Sequence, residues 1–270
     1  MTSNSASGAP IRILQLTDFH LLADPAHKMM GVNTEETFAA TLKAAWQHNS
    51  PADLLLLTGD LVQEAGADTY LRLRQHLQGL DIPCYCLPGN HDEWPLMRGI
   101  LAAGQVSCEP RVVFGGWQII CLDSTLPGQP GGHLDQTQLD MLESFLRDQP
   151  EKFSLVSLHH SPLPTGSAWL DTMRLDNAEA FFALLGRFPR VRALVCGHVH
   201  QVFDQMLGNI RVMACPSTCF QFKPYSAQFA LDSLPPGYRW LELYPDGEIR
   251  TGVERLSYLP EGLELASAGY

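Results

Sequence analysis

Long apolar runs, paired cysteine spacings and positive charge are all scarce in this 270-residue chain. No segment approaches the ~18 uninterrupted apolar residues that a membrane-crossing helix requires. The opening "MTSNSASGAP" has neither the basic start nor the apolar run of a secretory signal. These absences predict a soluble, cytoplasmic protein with no membrane partner. Seven cysteines, an odd number, include no C-x-x-C pair. Cys84 and Cys86 alternate along one apparent strand, and Cys121 and Cys196 sit in apolar runs. Buried, reduced thiols are therefore expected rather than a disulfide framework. Against 29 Asp and Glu stand 18 Lys and Arg, a formal charge of −11. Such a surface repels long polyanions and argues against a nucleic-acid partner. A small anion remains admissible where a local positive centre outweighs the global field.

What is present is ample core material, with 45% hydrophobic residues. Residues 1–10, small and polar, predict a flexible tail. Residues 11–270 predict one α/β domain, because strand-like and helix-like segments alternate with no internal repeat and no dividing linker. Strands are expected at "IRILQLTD", "DLLLLTGD", "IPCYCLPG", "WQIICLDS", "FSLVSLHH" and "VRALVCGH". Over residues 34–48, Phe38, Leu42, Ala45 and Trp46 mark one helical face, opened by Asn33 with Glu36. A second helix is expected around Tyr70–Leu77. Asp135 with Gln138, and Asp176 with Glu179, read as two further helix starts. The end of the chain predicts an antiparallel hairpin turning at Pro245-Asp246-Gly247. Residues 216–237 show no periodicity, and stretches of that length inside compact domains usually line a site.

Five polar clusters each follow an apolar strand: "TDFH" (Asp18, His20), "TGDL" (Asp60), "PGNHDE" (Asn90, His91, Asp92), "LHHSP" (His159, His160) and "CGHVH" (His198, His200). Ligands of open α/β sheets bind at the carboxyl ends of strands, so the five clusters are expected on one edge. Asp-x-His and His-x-His place alternate side chains on one side of an extended segment. Carboxylate, imidazole and amide oxygen suit Mn, Fe, Co or Zn. Alone, each cluster is an ordinary turn; five in succession, each behind its own strand, are not. His48 and His76 sit in helical patterns and are expected in solvent, and His27 lies in a loop with no expected partner.

The ordered set D-x-H, G-D, G-N-H-D, H and G-H-x-H resembles the calcineurin-like metallophosphoesterase superfamily. "GVNTEETF" (31–38), "HHSPLPTGSAWLD" (159–171), "CGHVHQ" and "PSTCFQFKP" (216–224) resemble its bacterial class III 3′,5′-cyclic-AMP phosphodiesterases, the CpdA type. That resemblance covers nearly the whole chain. It implies a four-layer αββα sandwich, two mixed β-sheets flanked by helices. It implies two divalent ions: one on Asp18, His20, Asp60 and His200, the other on Asp60, Asn90, His159 and His198, with Asp60 shared. His160 would stand behind the ligands. Gln63 occupies the position where purple acid phosphatases carry an iron-binding tyrosine, so a tyrosinate–iron(III) centre is not expected.

The implied reaction is hydrolysis of cyclic AMP to 5′-AMP by attack of hydroxide on phosphorus. Two divalent ions outweigh two carboxylates and a hydroxide by one positive charge, enough to accept a monoanionic diester. His91 would supply or stabilise the proton on the departing 3′-oxygen, with Asp92 fixing its ring. His20, Asn90, His91 and His200 would border the substrate. Trp169, Phe220 and Phe222 are candidates to hold the base; Arg174 and His133 are candidates for phosphate or ribose. The rival readings are a broad phosphodiesterase acting on 2′,3′-cyclic nucleotides or glycerophosphodiesters, and a non-catalytic scaffold. The sequence leaves a homodimer open.

Overall fold

The computed structural model describes residues 8–49, 51–267 and 269. Residues 1–7 of the expected tail lie outside the described residues.

In chain order the elements begin with β1 (Ile11–Leu16), α1 (Thr34–Asn49), β2 (Leu54–Thr58), α2 (Ala67–Leu77), β3 (Cys84–Leu87), α3 (Trp94–Leu101) and β4 (Val106–Ser107). Next come β5 (Arg111–Phe114), β6 (Trp117–Cys121), α4 (Gln136–Asp148), β7 (Phe153–Ser157), α5 (Ala178–Leu185) and β8 (Val191–Cys196). The chain continues with β9 (Phe203–Leu207), β10 (Ile210–Ala214), β11 (Gln221–Phe222), β12 (Leu231–Asp232), β13 (Gly237–Leu243) and β14 (Ile249–Arg255). One sheet runs β14-β13-β1-β2-β3-β4 and the other β5-β6-β7-β8-β10-β9, while β11 and β12 form a short ladder. Both large sheets are mixed. Strands β1 to β4 are mutually parallel, as are β6, β7, β8 and β10, while β13, β14, β5 and β9 each pair antiparallel with their neighbours.

The period-two alternation of strand side chains explains the layering. In β2, Leu54 and Leu56 enter a core shared with Trp117, Ile119, Leu155 and Val195 of the opposite sheet. Leu55 and Leu57 point the other way, onto Phe38, Leu42 and Ala45 of α1 and onto Tyr70 and Leu73 of α2. The second sheet repeats the arrangement: Ile120, Val156 and Leu194 pack outward with Leu142 and Leu146 of α4 and with Phe181 and Leu185 of α5. Four layers follow, helix–sheet–sheet–helix. A strand buried on both faces needs apolar residues at every position, which is why "LLLL" suits β2.

Two expected helix starts are present: Glu36 N donates to Asn33 Oδ1 (3.0 Å), and Gln138 N to Asp135 Oδ1 (2.8 Å). The third is not. Asp176 Oδ1 accepts from His133 Nδ1 at 2.6 Å, and Asn177 occupies the cap of α5. The Asn177 side chain is itself held by the backbone of Leu134. The C-terminal hairpin forms as expected, with Gly247 at φ 88° in its turn, and β13 pairs antiparallel with β1. Within the segment expected to be structureless, β11 and β12 pair Phe222 with Leu231.

Leu56 is fully buried between the sheets. Leu56→Ala is expected to cost about 2–5 kcal/mol of unfolding free energy by urea titration, since packed sheets collapse poorly around a void. A loss below about 1 kcal/mol would contradict a close-packed interior there.

Candidate metal centre

Parallel pairing brings the chemistry together. β1 and β2 match Leu16 with Leu57, and β2 and β3 match Thr58 with Leu87, so Asp18, Asp60 and Asn90 leave the sheet at one level. β7 and β8 end side by side in the facing sheet, with Ser157 opposite Val195. Their loops carry His159 and His198.

Beyond the strands the backbone turns in an uncommon way. Asp18, His20, Asp60, His198 and His200 all have positive φ, from 45° to 66°. A non-glycine residue in that left-handed region costs roughly 1–2 kcal/mol. Backbone bonds hold the turns in place: Asp18 N donates to Gly59 O (3.0 Å), Phe19 N to Asp60 O (2.8 Å) and His20 N to Asp60 O (3.0 Å). Glycine is required where the loops touch. A Cβ on Gly89 would lie 2.2 Å from Asp60 Oδ1, and one on Gly197 would lie 2.1 Å from Thr17 Oγ1.

The donor atoms converge. Those of Asp18, His20 and His200 lie within 4.8 Å of one another, as do those of Asp18, Asp60 and His159, and those of His159, His160 and His198. Four imidazoles have their Nδ1–H directed to an oxygen: His159 to Thr58 O (2.8 Å), His200 to Phe220 O (2.9 Å), His20 to Gln63 Oε1 (2.8 Å) and His91 to Gln63 O (3.0 Å). A neutral ring that donates from Nδ1 presents a lone pair at Nε2. His20 Nε2 and His200 Nε2 therefore face each other as acceptors at 3.2 Å. His159 Nε2 faces Asp60 Oδ2 at the same separation. Asn90 Oδ1 and the Nε2 atoms of His159, His160 and His198 are buried without a hydrogen-bond partner among the described residues.

Buried acceptors aimed at one another are unfavourable unless a proton or a cation stands between them. Burial pushes the imidazolium forms of His20 and His160 down to about 3, and that of His198 well below its usual value. Burial also works against the Asp60 carboxylate, but the rings of His159, His91 and His20 outweigh it and hold its pKa well below the usual range. For His159, burial lowers the pKa and Asp60 raises it, with a net rise to about 9. Protons can therefore satisfy the His159–Asp60 contact but not the neighbouring rings. Two carboxylates, several imidazoles and an amide oxygen around one buried space fit divalent metal ions.

Next to the centre is a cavity of about 390 Å³, whose walls include Asp60, Asn90, His91, His198, Trp169 and Phe222. His20 and His200 stand behind these walls, fully buried, and do not line it. Trp169 meets the rings of Phe222 and Phe229 edge-on, at 5.0 and 5.3 Å, and its indole N–H finds no acceptor among the described residues. Phe222 stacks on His200 with centroids 4.1 Å apart. Phe220 is buried in contact with the His20 and His200 rings rather than in the cavity wall. His160 is held by Ser124, whose Oγ lies 2.9 Å from Nδ1.

Further expectations are corrected. Asp92 was expected to fix the His91 ring, but Gln63 O takes that bond. The Asp92 carboxylate instead accepts from Leu61 N (3.1 Å), Gly89 N (2.9 Å) and the Tyr70 hydroxyl (3.0 Å), tying the loops after β2 and β3 to α2. Burial, with Asp60 adding to it, raises the Asp92 carboxyl to about 6. Arg174 is exposed and outside the cavity wall, and the bond from His133 to Asp176 leaves its ring outside as well. Sequence reasoning missed Phe229 and Gln129, which line the cavity, and the grip of Gln63 on two histidines. Only for Gln63 was there a signal, its place three residues after the "GD" pair.

Residues 11–202 match the family model described as calcineurin-like phosphoesterase. The chain is 44% identical to the 3′,5′-cyclic adenosine monophosphate phosphodiesterase CpdA of Vibrio vulnificus (strain CMCP6), covering 100% of this chain and 98% of the relative. It is 43% identical, with the same coverage, to the protein of that name from Escherichia coli (strain K12). A dimetal phosphatase from Danio rerio, 13% identical, superposes with a TM-score of 0.60 over 92% of this chain and 100% of that one. The last similarity shows the fold. Together the family match and the full-length relatives show that this chain belongs to the calcineurin-like phosphoesterases.

Proposed function

We propose that this chain hydrolyses 3′,5′-cyclic AMP to 5′-AMP at a centre of two divalent ions. The observation that carries this reading is a pair of buried atoms without a hydrogen-bond partner among the described residues, Asn90 Oδ1 and His198 Nε2, whose residues line an aromatic-walled cavity, with His159 Nε2 and Asp60 behind them. The cyclic-AMP phosphodiesterases similar to this chain over its full length support the choice of substrate. Asp18, His20, Asp60 and His200 would hold one ion, and Asp60, Asn90, His159 and His198 the other. Asn90 contributes an oxygen without adding negative charge. Bound there, two divalent ions supply Lewis acidity, neutralising the phosphoryl oxygens and bringing the pKa of a water toward neutrality.

The remaining roles fall to the chain itself. Phosphate lies over Asn90 and His91, and the base extends toward Trp169, Phe222 and Phe229. Gln63 O fixes Nδ1–H of His91 and sets the ring's orientation, with the opposite nitrogen directed to the substrate. As the imidazolium, protonated on both nitrogens, the ring gives that second proton to the 3′-oxygen as the oxygen of water bonds to phosphorus and the P–O3′ bond breaks. Trp169 Nε1 supplies a donor for the base edge. Asp92 positions the loop and takes no part in the chemistry. Both large sheets share one interior, which supports reading residues 11–270 as one domain. Seven free, buried thiols, and no helix among the described residues long and apolar enough to cross a membrane, support a cytoplasmic setting.

His91→Ala is expected to keep its metal but lose ~10²–10⁴-fold in kcat, and Asp60→Ala to lose metal and activity together. Parental turnover of cyclic AMP by His91→Ala would remove His91 from the reaction. Trp169→Ala should raise KM for cyclic AMP while leaving bis(p-nitrophenyl) phosphate nearly unchanged. In a panel with 2′,3′-cyclic AMP and glycerophosphodiesters, cyclic AMP ranking last in kcat/KM would replace this substrate with the broad phosphodiesterase reading. Gln63→Ala frees the His20 ring, and metal titration should show affinity reduced ~10–100-fold. Unchanged affinity would mean that Gln63 does not orient the ligand.

A further inference from the structure

Away from the metal centre, the seven cysteines are not equivalent. β3 and β4 pair Cys84 with Val106 and Tyr85 with Ser107, so the next step along each strand sets Cys86 beside Cys108. Their Sγ atoms are 3.3 Å apart, the one sulfur–sulfur contact among the described residues. Cys121, Cys196, Cys215 and Cys219 have oxygen partners, the Ser157 hydroxyl, Met213 O, Gln15 O and the Ser217 hydroxyl, and no sulfur partner among the described residues; Cys86 has both Cys108 and, at 3.5 Å, Ser107 O. A disulfide needs sulfurs about 2.05 Å apart and Cα atoms about 4.4–6.8 Å apart. Neighbouring strands, about 4.8 Å apart, meet the second condition without backbone rearrangement.

The pair is also reachable. Cys86 and Cys108 both line a cavity of about 170 Å³, together with Pro88, Trp94, Arg98 and Cys121. That volume admits a molecule of the size of hydrogen peroxide and excludes a bulky disulfide such as oxidised glutathione.

We propose that Cys86 and Cys108 form a reactive dithiol that hydrogen peroxide converts to an intramolecular disulfide. The contact with the Cys86 thiol lowers the Cys108 thiol below its ordinary value; burial opposes this and Arg98 assists. The same contact, with burial, raises Cys86 well above its usual value, while burial outweighs the Ser157 hydroxyl and holds Cys121 up at about 11. Cys108 is therefore the attacking sulfur. Its thiolate attacks one peroxide oxygen, the O–O bond breaks, and the departing hydroxide takes a proton to become water. The resulting Cys108 sulfenic acid is attacked by Cys86. The S–S bond forms, the S–O bond breaks, and the Cys86 proton leaves with the hydroxide as a second water. Two thiols lose two electrons and two protons, and peroxide is reduced to two waters.

The test uses the full chain loaded with manganese, treated with one equivalent of peroxide, alkylated and digested without reductant. The expected major product is the Cys86 peptide joined to the Cys108 peptide, lighter by two hydrogen atoms and separated by dithiothreitol. Cys121→Ser should leave that product intact, and Cys108→Ser should abolish it. Joining through Cys121, Cys108 ending as a sulfinic acid beside free Cys86, or seven equally alkylated cysteines would each overturn the proposal. The wild-type peptide map decides the matter even if Cys108→Ser does not fold.

Discussion

The architecture depends on an electrostatic problem that the folded chain creates for itself. Imidazole nitrogens, an amide oxygen and two carboxylates are gathered in a largely buried space at the foot of the cavity, with their lone pairs directed at one another. The Nε2 atoms of His20 and His200 meet at 3.2 Å because carbonyl and amide oxygens behind the rings have claimed the opposite nitrogens. Burial keeps the His20 ring from taking up a proton to relieve the conflict. Cations resolve it, and the charge they bring is what an acidic protein needs to receive a phosphate ester.

Such an arrangement must be imposed by the surrounding fold. Five left-handed residues and loop glycines with no room for a side chain are local costs, carried where two buried sheets converge. The packing between Leu54, Leu56, Trp117 and Leu155 fixes one sheet against the other, and therefore β1–β3 against β7–β8. Asp92 adds a second restraint by joining Leu61, Gly89 and Tyr70. On the open side, Trp169, Phe222 and Phe229 make a wall suited to a flat ring beside a site suited to an anion. A nucleotide combines both chemistries.

Much of this was legible in the sequence where the signal is local. Apolar runs marked the long strands, i to i+3 spacing marked the starts of α1 and α4, and a polar cluster behind each strand marked the metal centre. What escaped depends on partners far along the chain. Asp176 has the right spacing for a cap, but His133, 43 positions away, takes its carboxylate. Asp92 is adjacent to His91, yet its side chain reaches α2 through Tyr70. Phe229 lies in a segment without periodicity and reaches the cavity through the two-residue pairing of β11 with β12. Cys86 and Cys108 become neighbours through strand register, which composition does not reveal.

The central claim is that the buried donors form two adjoining cation sites. Anomalous diffraction from crystals of the full chain grown with manganese tests it most directly. The account predicts two peaks, one among Asp18, His20, Asp60 and His200, the other among Asp60, Asn90, His159 and His198. A single peak, none, or manganese bound away from Asp60 would contradict it.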